Sequence, residues 1–394
     1  MKNVLFSGHA SLFPAEHGGA KNVRHTAEGL AAAGLAVRVL VKMHPPVPGR
    51  IRFAGQHPDG LRASRHEFDK GLLEEERGVF SWSCRGVTYK AVPGESRDLA
   101  AATRREIELQ RPHAVVLCDD SLDEGLELYE AGADSGRLVF LAQTIHSLPF
   151  GPYAMKPSAP VSAALQRAKK VVAPSRFVAD YIAVHLGKEA EVHYPDVFGK
   201  GPFPDLGGYD NPYITMINPC PWKGSSILIK LARRRPDLAF AAVPTWGATP
   251  PLVAELKAAP NITVLEETPR IDEIYAKTKV LLAPSMCQEA FGLVSPEALL
   301  RGIPVVASDI AGLRESTLGA AALVPVTPLP FDGPREGTDH TKFVWTEPDN
   351  PVEPWSAALD AILESEASYR RCSLQGREAA GRFVKGLAGR PLLV

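Results

Sequence analysis

The sequence predicts an α/β protein built as two doubly wound, parallel-sheet halves that face each other across a cleft. Three observations carry this reading. Short apolar runs alternate with helix-period patterns almost throughout the chain. The rhythm breaks at residues 196–212, a stretch dense in glycine and proline that reads as a linker, and then resumes. Finally, 394 residues are enough for two to three domains, each with its own core. The expected boundaries are 1–196 for the N-terminal half, 197–212 for the linker, 213–370 for the second half and 371–394 for a C-terminal helix.

In the first half, strands are expected at 4–6, 37–41, 114–117, 138–141 and 171–173. Between the first two, Val23, Ala27, Leu30 and Ala31 fall on one face of a helix over 21–33, which Gly34 ends. Residues 45–95 interrupt the pattern. Proline and glycine give way to a charged stretch at 70–77, then to strand-like pieces at 79–83 and 87–92 around Cys84, Arg85 and Gly86. This segment reads as an insertion near the cleft with no assigned role. The second half offers strands at 213–217, 238–243, 262–265, 280–283 and 305–307, and the tail from Trp355 onward looks helical.

Composition narrows the function classes. Forty-four Lys+Arg against 45 Asp+Glu leave a net charge of −1, so bulk electrostatics give no case for nucleic acid or anionic membrane. The first apolar run is too short for a signal peptide, and no run approaches the ~20 residues of a membrane span. A cytoplasmic protein without an integral membrane segment is therefore expected. The five cysteines are scattered, odd in number and without metal-type spacing, which points to reduced thiols and no metal site. Oligomeric state is not legible.

Residues 284–308 carry the most functional information. They leave the strand at 280–283, cross a loop holding Glu289, Phe291 and Gly292, enter a short helix and return to the strand at 305–307. Ser295 is placed to cap that helix, Pro296 suits its first position and Gly302 its end. Glu289 thus lies on the loop and Glu297 in the first helical turn, at the carboxyl end of a strand, where open parallel sheets bind ligands. Two carboxylates can accept paired hydroxyl hydrogen bonds on either side of a phosphate held by backbone N–H groups. Taken singly, Glu297 also reads as an acid favoured by the helix dipole, and Glu289 as a solvated loop charge.

Together, the two glutamates eight positions apart, the Phe-Gly-Leu-Val core, the proline before Glu297 and the Gly-Ile-Pro-Val-Val-Ala-Ser run closely resemble the motif of family-4 retaining glycosyltransferases. That family uses nucleotide-sugar donors and has the GT-B fold. The resemblance implies that Glu297 holds ribose hydroxyls and that Glu289, with the backbone of Ala290, Phe291 and Gly292, holds the sugar. Lys223 and the helix start near Leu293 and Val294 would stabilise the departing phosphate. Lys223-Gly224 matches the family's second-domain phosphate loop, whereas Asn218 stands where similar enzymes carry arginine, so one positive charge remains where two are usual. Gly18 and Gly19, after the first strand, resemble the glycine pair that closes over donor phosphate and acceptor; a tight strand-to-helix turn is the alternative, and neighbouring His17 reads as a surface residue. His146 resembles the histidine that reaches the donor sugar. Asp119 and Asp120 read either as acceptor-recognising acids or, for Asp120, as a helix cap. Ser175 can cap the helix it opens.

The resemblance further implies front-face transfer from a UDP- or GDP-sugar to a hydroxyl-bearing small molecule or glycan, with no other cofactor and no metal, and a C-terminal helix that crosses back to the first half. A GT-B phosphorylase, a nucleotide-sugar epimerase and a non-catalytic nucleotide-sugar-binding protein are the alternatives.

Overall fold

The computed structural model describes residues 2–9, 11–15, 17–43, 56–76, 78–118, 125–331, 347–387 and 392. It divides into two compact units, with the boundary between Val197 and Phe198.

Unit 1 is a nine-stranded sheet. Its strands are β1 (Asn3–Gly8), β2 (Ala36–Met43), β3 (Leu73–Glu76), β4 (Val79–Cys84), β5 (Val87–Pro93), β6 (Ala114–Cys118), β7 (Leu138–Leu141), β8 (Lys170–Ala173) and β9 (Glu191–Val192). The order is β3-β4-β5-β2-β1-β6-β7-β8-β9, parallel except where β4 pairs antiparallel with β3 and β5. The helices are α1 (Gly18–Ala32), α2 (Pro58–Ala63), α3 (Ser96–Gln110), α4 (Leu126–Asp134), α5 (Ala159–Gln166) and α6 (Arg176–Leu186). All five side chains of β6 are buried, as a strand covered on both faces requires. Val23, Ala27 and Leu30 of α1 pack on Val4 and Phe6 of β1 and Val37, Val39 and Val41 of β2. Leu392 is buried in the same cluster, and its carbonyl accepts from Lys170 Nζ at 3.1 Å.

The region read as an insertion is part of this sheet. Strand β5 lies parallel to β2 along seven residue pairs, and β4 and β3 extend the edge by antiparallel pairing. Alternate side chains of β4 and β5 (Trp82 and Tyr89) join Phe13 and Phe68 in an aromatic cluster, with the Trp82 and Tyr89 rings stacked 5.3 Å apart. Arg24 of α1 lies 4.1 Å over the Phe13 ring and pairs with Glu28 (2.8 Å) and Glu67 (2.6 Å). The segment is thus packed onto α1 rather than appended to it. Residues 44–55 lie outside the described residues.

Unit 2 is a six-stranded, wholly parallel sheet in the order β12-β11-β10-β13-β14-β15. Its strands are β10 (Tyr213–Ile217), β11 (Phe240–Val243), β12 (Ile262–Val264), β13 (Thr278–Ala283), β14 (Val305–Ser308) and β15 (Ala322–Val324). Its helices are α7 (Ser225–Arg234), α8 (Pro250–Ala258), α9 (Asp272–Tyr275), α10 (Val294–Leu300), α11 (Leu313–Ser316), α12 (Glu353–Leu363) and α13 (Glu366–Leu387). Period-two alternation sorts the strand side chains into two cores. Ile214, Met216, Val280, Leu282 and Val306 pack with Leu228 and Leu231 of α7 and Trp355 and Leu359 of α12. Leu281, Ala283, Val305 and Ala307 pack on the other side with Ala298 and Leu299 of α10 and Ala380 and Val384 of α13.

The strand order runs outward in sequence in both directions from the β10–β13 pair. The order of winding, not the strand direction, reverses there, which makes the carboxyl ends of β10 and β13 the switch point at which open parallel sheets bind ligands. In unit 1 the corresponding switch point is the β1–β6 pair.

Candidate active site

The loop after β10 runs from Asn218 through a single 3-10 turn, Pro221–Lys223, to Gly224, the residue before α7. The loop after β13 runs from Pro284 to Leu293, the residue before α10. Backbone bonds clasp the two together: the N–H groups of Met286 and Cys287 donate to the Trp222 carbonyl at 2.9 and 3.1 Å. Gly224 makes this approach possible. Its φ is +79°, and a β-carbon there would stand 2.0 Å from the Pro284 carbonyl oxygen, so only glycine fits.

This clasp brings two of the expected site residues into contact. Lys223 Nζ forms a hydrogen-bonded ion pair with Glu289 Oε1, and Ser285 Oγ donates to the same oxygen. The Glu289 side chain is 13% exposed and that of Lys223 26%, so solvent screens the pair only in part. Burial alone would lower the Lys223 pKa; the Glu289 carboxylate outweighs it and holds the ammonium above the ordinary lysine value. Burial pushes the Cys220 thiol beside them up to about 11, so it stays protonated at neutral pH.

The Glu289 carbonyl accepts from Gly312 N–H at 2.9 Å, which ties the loop to the approach to α11. Phe291 is buried and stacks on Phe383 of α13, with ring centroids 5.8 Å apart. Gly292 adopts φ +94°, and a β-carbon there would meet Leu313 Cδ2 at 2.4 Å. The backbone from Ala290 through Gly292 is therefore pinned between the carboxylate and the helix start.

Glu297 lies in the first turn of α10, partly exposed, as expected. The start of that helix differs from expectation. It begins at Val294 with Leu293 already in helical backbone, so Ser295 and Pro296 are its second and third residues. Ser295 does not cap it: its hydroxyl is buried without a hydrogen-bond partner, and its N–H donates to the Gly292 carbonyl at 3.2 Å. The chain already turns helical one residue before the serine, so the hydroxyl faces the core instead of the free N–H groups. Gly302 does end the segment, at φ +71°.

Asn218, where the resemblance leads one to expect arginine, bonds to a third loop. It sits at φ +57°, only 8% exposed, and its Oδ1 accepts from Gly247 N–H at 3.0 Å in the loop after β11. Its side chain ties two loops of the sheet together.

Gly18, Gly19, His146 and Ser175 belong to unit 1. Gly18 and Gly19 are the first two residues of α1, which starts three residues earlier than the apolar pattern indicates. His17 is its cap: Nδ1 accepts from Ala20 N–H at 3.3 Å, which corrects its reading as a plain surface residue. His146 follows β7 with its ring edge-on to Tyr153 at 6.2 Å. Ser175 caps α6 by accepting from Val178 N–H at 3.2 Å. Asp119 and Asp120 lie outside the described residues.

Two side chains that hold the carboxylates escaped sequence reasoning. Ser285 touches Glu289, and Tyr275 Oη donates to Glu297 Oε2 at 3.2 Å. Neither carries a periodicity or motif signal; each is found only through the fold. Among the described residues no group of three or more His, Cys, Asp or Glu is placed to hold a metal ion, and no helix is long and apolar enough to cross a membrane.

Residues 221–329 match the family described as Glycosyl transferases group 1. That segment includes Lys223, Gly224, Glu289 through Val294 and Glu297, and excludes Asn218. The chain is 27% identical over 197 residues to alpha-1,3/1,6-mannosyltransferase alg-2 of Neurospora crassa, a match covering 48% of this chain and 35% of that relative. Sucrose-phosphate synthase from Thermosynechococcus elongatus superimposes with a TM-score of 0.67 at 16% identity, over 98% of this chain and 96% of the other. Anabaena HepE, solved with UDP and glucose, superimposes with a TM-score of 0.63 at 15% identity, over 98% and 97%. The fold is GT-B. At these identities the structural likeness speaks to the fold alone. In the GT-B frame the Lys223–Glu289 pair sits in unit 2, at the reversal point of its sheet.

Proposed function

We propose that the protein transfers a sugar from a nucleoside diphosphate donor to a hydroxyl of a small-molecule or glycan acceptor, with retention at the anomeric carbon. The observation that carries this reading is the Lys223–Glu289 pair at the β10–β13 reversal, with Glu297 on the helix that follows. A partly buried ammonium and a partly buried carboxylate, each holding the other, have the valences a donor can satisfy. A diphosphate oxygen replaces Glu289 at Lys223, and sugar hydroxyls replace Lys223 at Glu289. Glu297 then takes ribose hydroxyls, and the backbone of 290–294 follows the sugar and phosphate.

In the transfer the acceptor oxygen bonds to the anomeric carbon on the face from which the phosphate oxygen leaves. The departing phosphate takes the acceptor's hydroxyl proton. Lys223, cationic throughout the neutral range, offsets the negative charge that grows on the phosphate. Gly19 would meet the donor, Gly18, Asp119 and Asp120 the acceptor, and His146 the transferring sugar. The UDP and glucose bound by HepE support a UDP-sugar, with a GDP-sugar as the other candidate.

One observation favours a second reading, a nucleotide-sugar-binding protein without turnover. Asn218 is committed to Gly247, so Lys223 is the only cation between β10 and α7. The two readings separate on incubation with UDP- and GDP-sugars, with and without polyol and sugar acceptors, followed by NMR of the products. Transfer with a retained anomer is expected, lowered about 10²–10³-fold in Lys223→Ala and Glu289→Ala. Donor binding without hydrolysis or transfer supports the second reading. An inverted product, or sugar release that depends on inorganic phosphate, contradicts the first.

A further inference from the structure

Glu297 is held from within the protein by an assembly on α9, outside both site loops. Tyr275, the last residue of α9, is fully buried, and its Oη lies 3.2 Å from Glu297 Oε2. Burial, together with the charge of Glu297, raises the Tyr275 phenol well above its ordinary value, so it is a permanent donor in this bond. Arg301, four residues after Glu297 and just past the end of α10, covers the same ring with its guanidinium 5.1 Å from the centroid. Arg301 Nη1 donates to the Glu297 carbonyl at 2.9 Å, and its Nε pairs with Asp272 at the start of α9. Backbone and carboxylate of one glutamate are thereby tied to one short helix.

We propose that Tyr275 is a positioning residue for ribose recognition: it turns Oε2 of Glu297 inward and leaves Oε1 presented to the 2′- and 3′-hydroxyls of a nucleoside diphosphate. The inference rests on the donor-site reading above and adds the group that gives this site its preference for a ribose diol. A carboxylate has about four lone-pair sites. One accepts from Tyr275, which fixes the plane of the group and keeps the rest directed outward. Without the phenol, Glu297 rotates freely, and a diol gains less from it relative to a sugar that lacks the hydroxyls.

The test is calorimetric titration of the full chain with UDP, GDP and ADP, and with the 2′,3′-dideoxy form of each. The variants are Tyr275→Phe, Glu297→Gln and the double substitution. Tyr275→Phe keeps the ring beneath Arg301 and removes only the hydroxyl. Wild type is expected to prefer the ribonucleotide over its dideoxy form by about tenfold or more, and Tyr275→Phe to cut that ratio severalfold. In the Glu297→Gln background, removing the phenol should leave the ratio where the single Gln variant put it. If Tyr275→Phe weakens both nucleotide forms equally, or retains the wild-type ratio, Tyr275 is packing only and the inference is overturned. If wild type binds none of the nucleotides, or binds both forms alike, the donor-site reading itself fails and this inference goes with it.

Discussion

At Lys223 and Glu289, two charges that each need a partner find one another across 66 residues of sequence. The pair keeps the ligand-free site electrically satisfied, since either charge alone would sit largely buried without compensation. Lys223→Met and Glu289→Gln should each destabilise unit 2 by about 1–3 kcal/mol, because each strands a partly buried group. The double variant should cost less than the sum of the two by roughly 0.5–3 kcal/mol, read from urea titrations of all four proteins. The two glutamates and Lys223-Gly224 could be singled out in the sequence because each lies in a short local motif that resembles one family's pattern. Their partners were not. Ser285, Tyr275 and Gly247 meet Glu289, Glu297 and Asn218 only after strands from separate parts of the chain become neighbours, and no local pattern marks such a meeting.

At the level of single elements, the beginning of α10 separates two kinds of serine. Ser175 accepts a backbone N–H at the start of α6, whereas the Ser295 hydroxyl is buried one residue inside α10 with no partner. Ser175→Ala should therefore lower stability by about 1 kcal/mol, and Ser295→Ala should be neutral or stabilising. Chemical denaturation of the two variants checks the contrast. A cost at Ser295 equal to that at Ser175 would mean that Ser295 caps after all. Every strand that sequence patterning placed is present, because each is an apolar or alternating run that buries at least one face of the sheet. Strands β3, β9 and β15 went unread for a different reason. Leu73–Glu76 carries three acids on a sheet edge, and Glu191–Val192 and Ala322–Val324 are too short for any period to show. Edge pairing alone makes them strands. The same holds for residues 79–93, recognised as strand-like but placed in the sheet only by the β5–β2 register.

At the scale of the whole molecule, pH should act first on unit 1. Burial lowers the pKa of both His25 and His193 below the ordinary 6.5. Below pH 6.5 the unfolded chain therefore binds more protons than the folded one, and stability falls with pH until the folded-state values are passed. The melting temperature should be lower at pH 5.5 than at pH 7.5, and His25→Gln should shrink that difference. The central claim is that unit 2 opens its Lys223–Glu289 pair to a nucleotide sugar, and thermal denaturation with added UDP- and GDP-sugars tests it most directly. A ligand at 100 times its dissociation constant adds about 2.7 kcal/mol. For a unit of this size that raises the melting temperature by roughly 5–10 °C. The account predicts such a rise in wild type for at least one of these donors, and its near loss in Lys223→Ala. The absence of any rise across both donor classes, or an undiminished rise in Lys223→Ala, would contradict it.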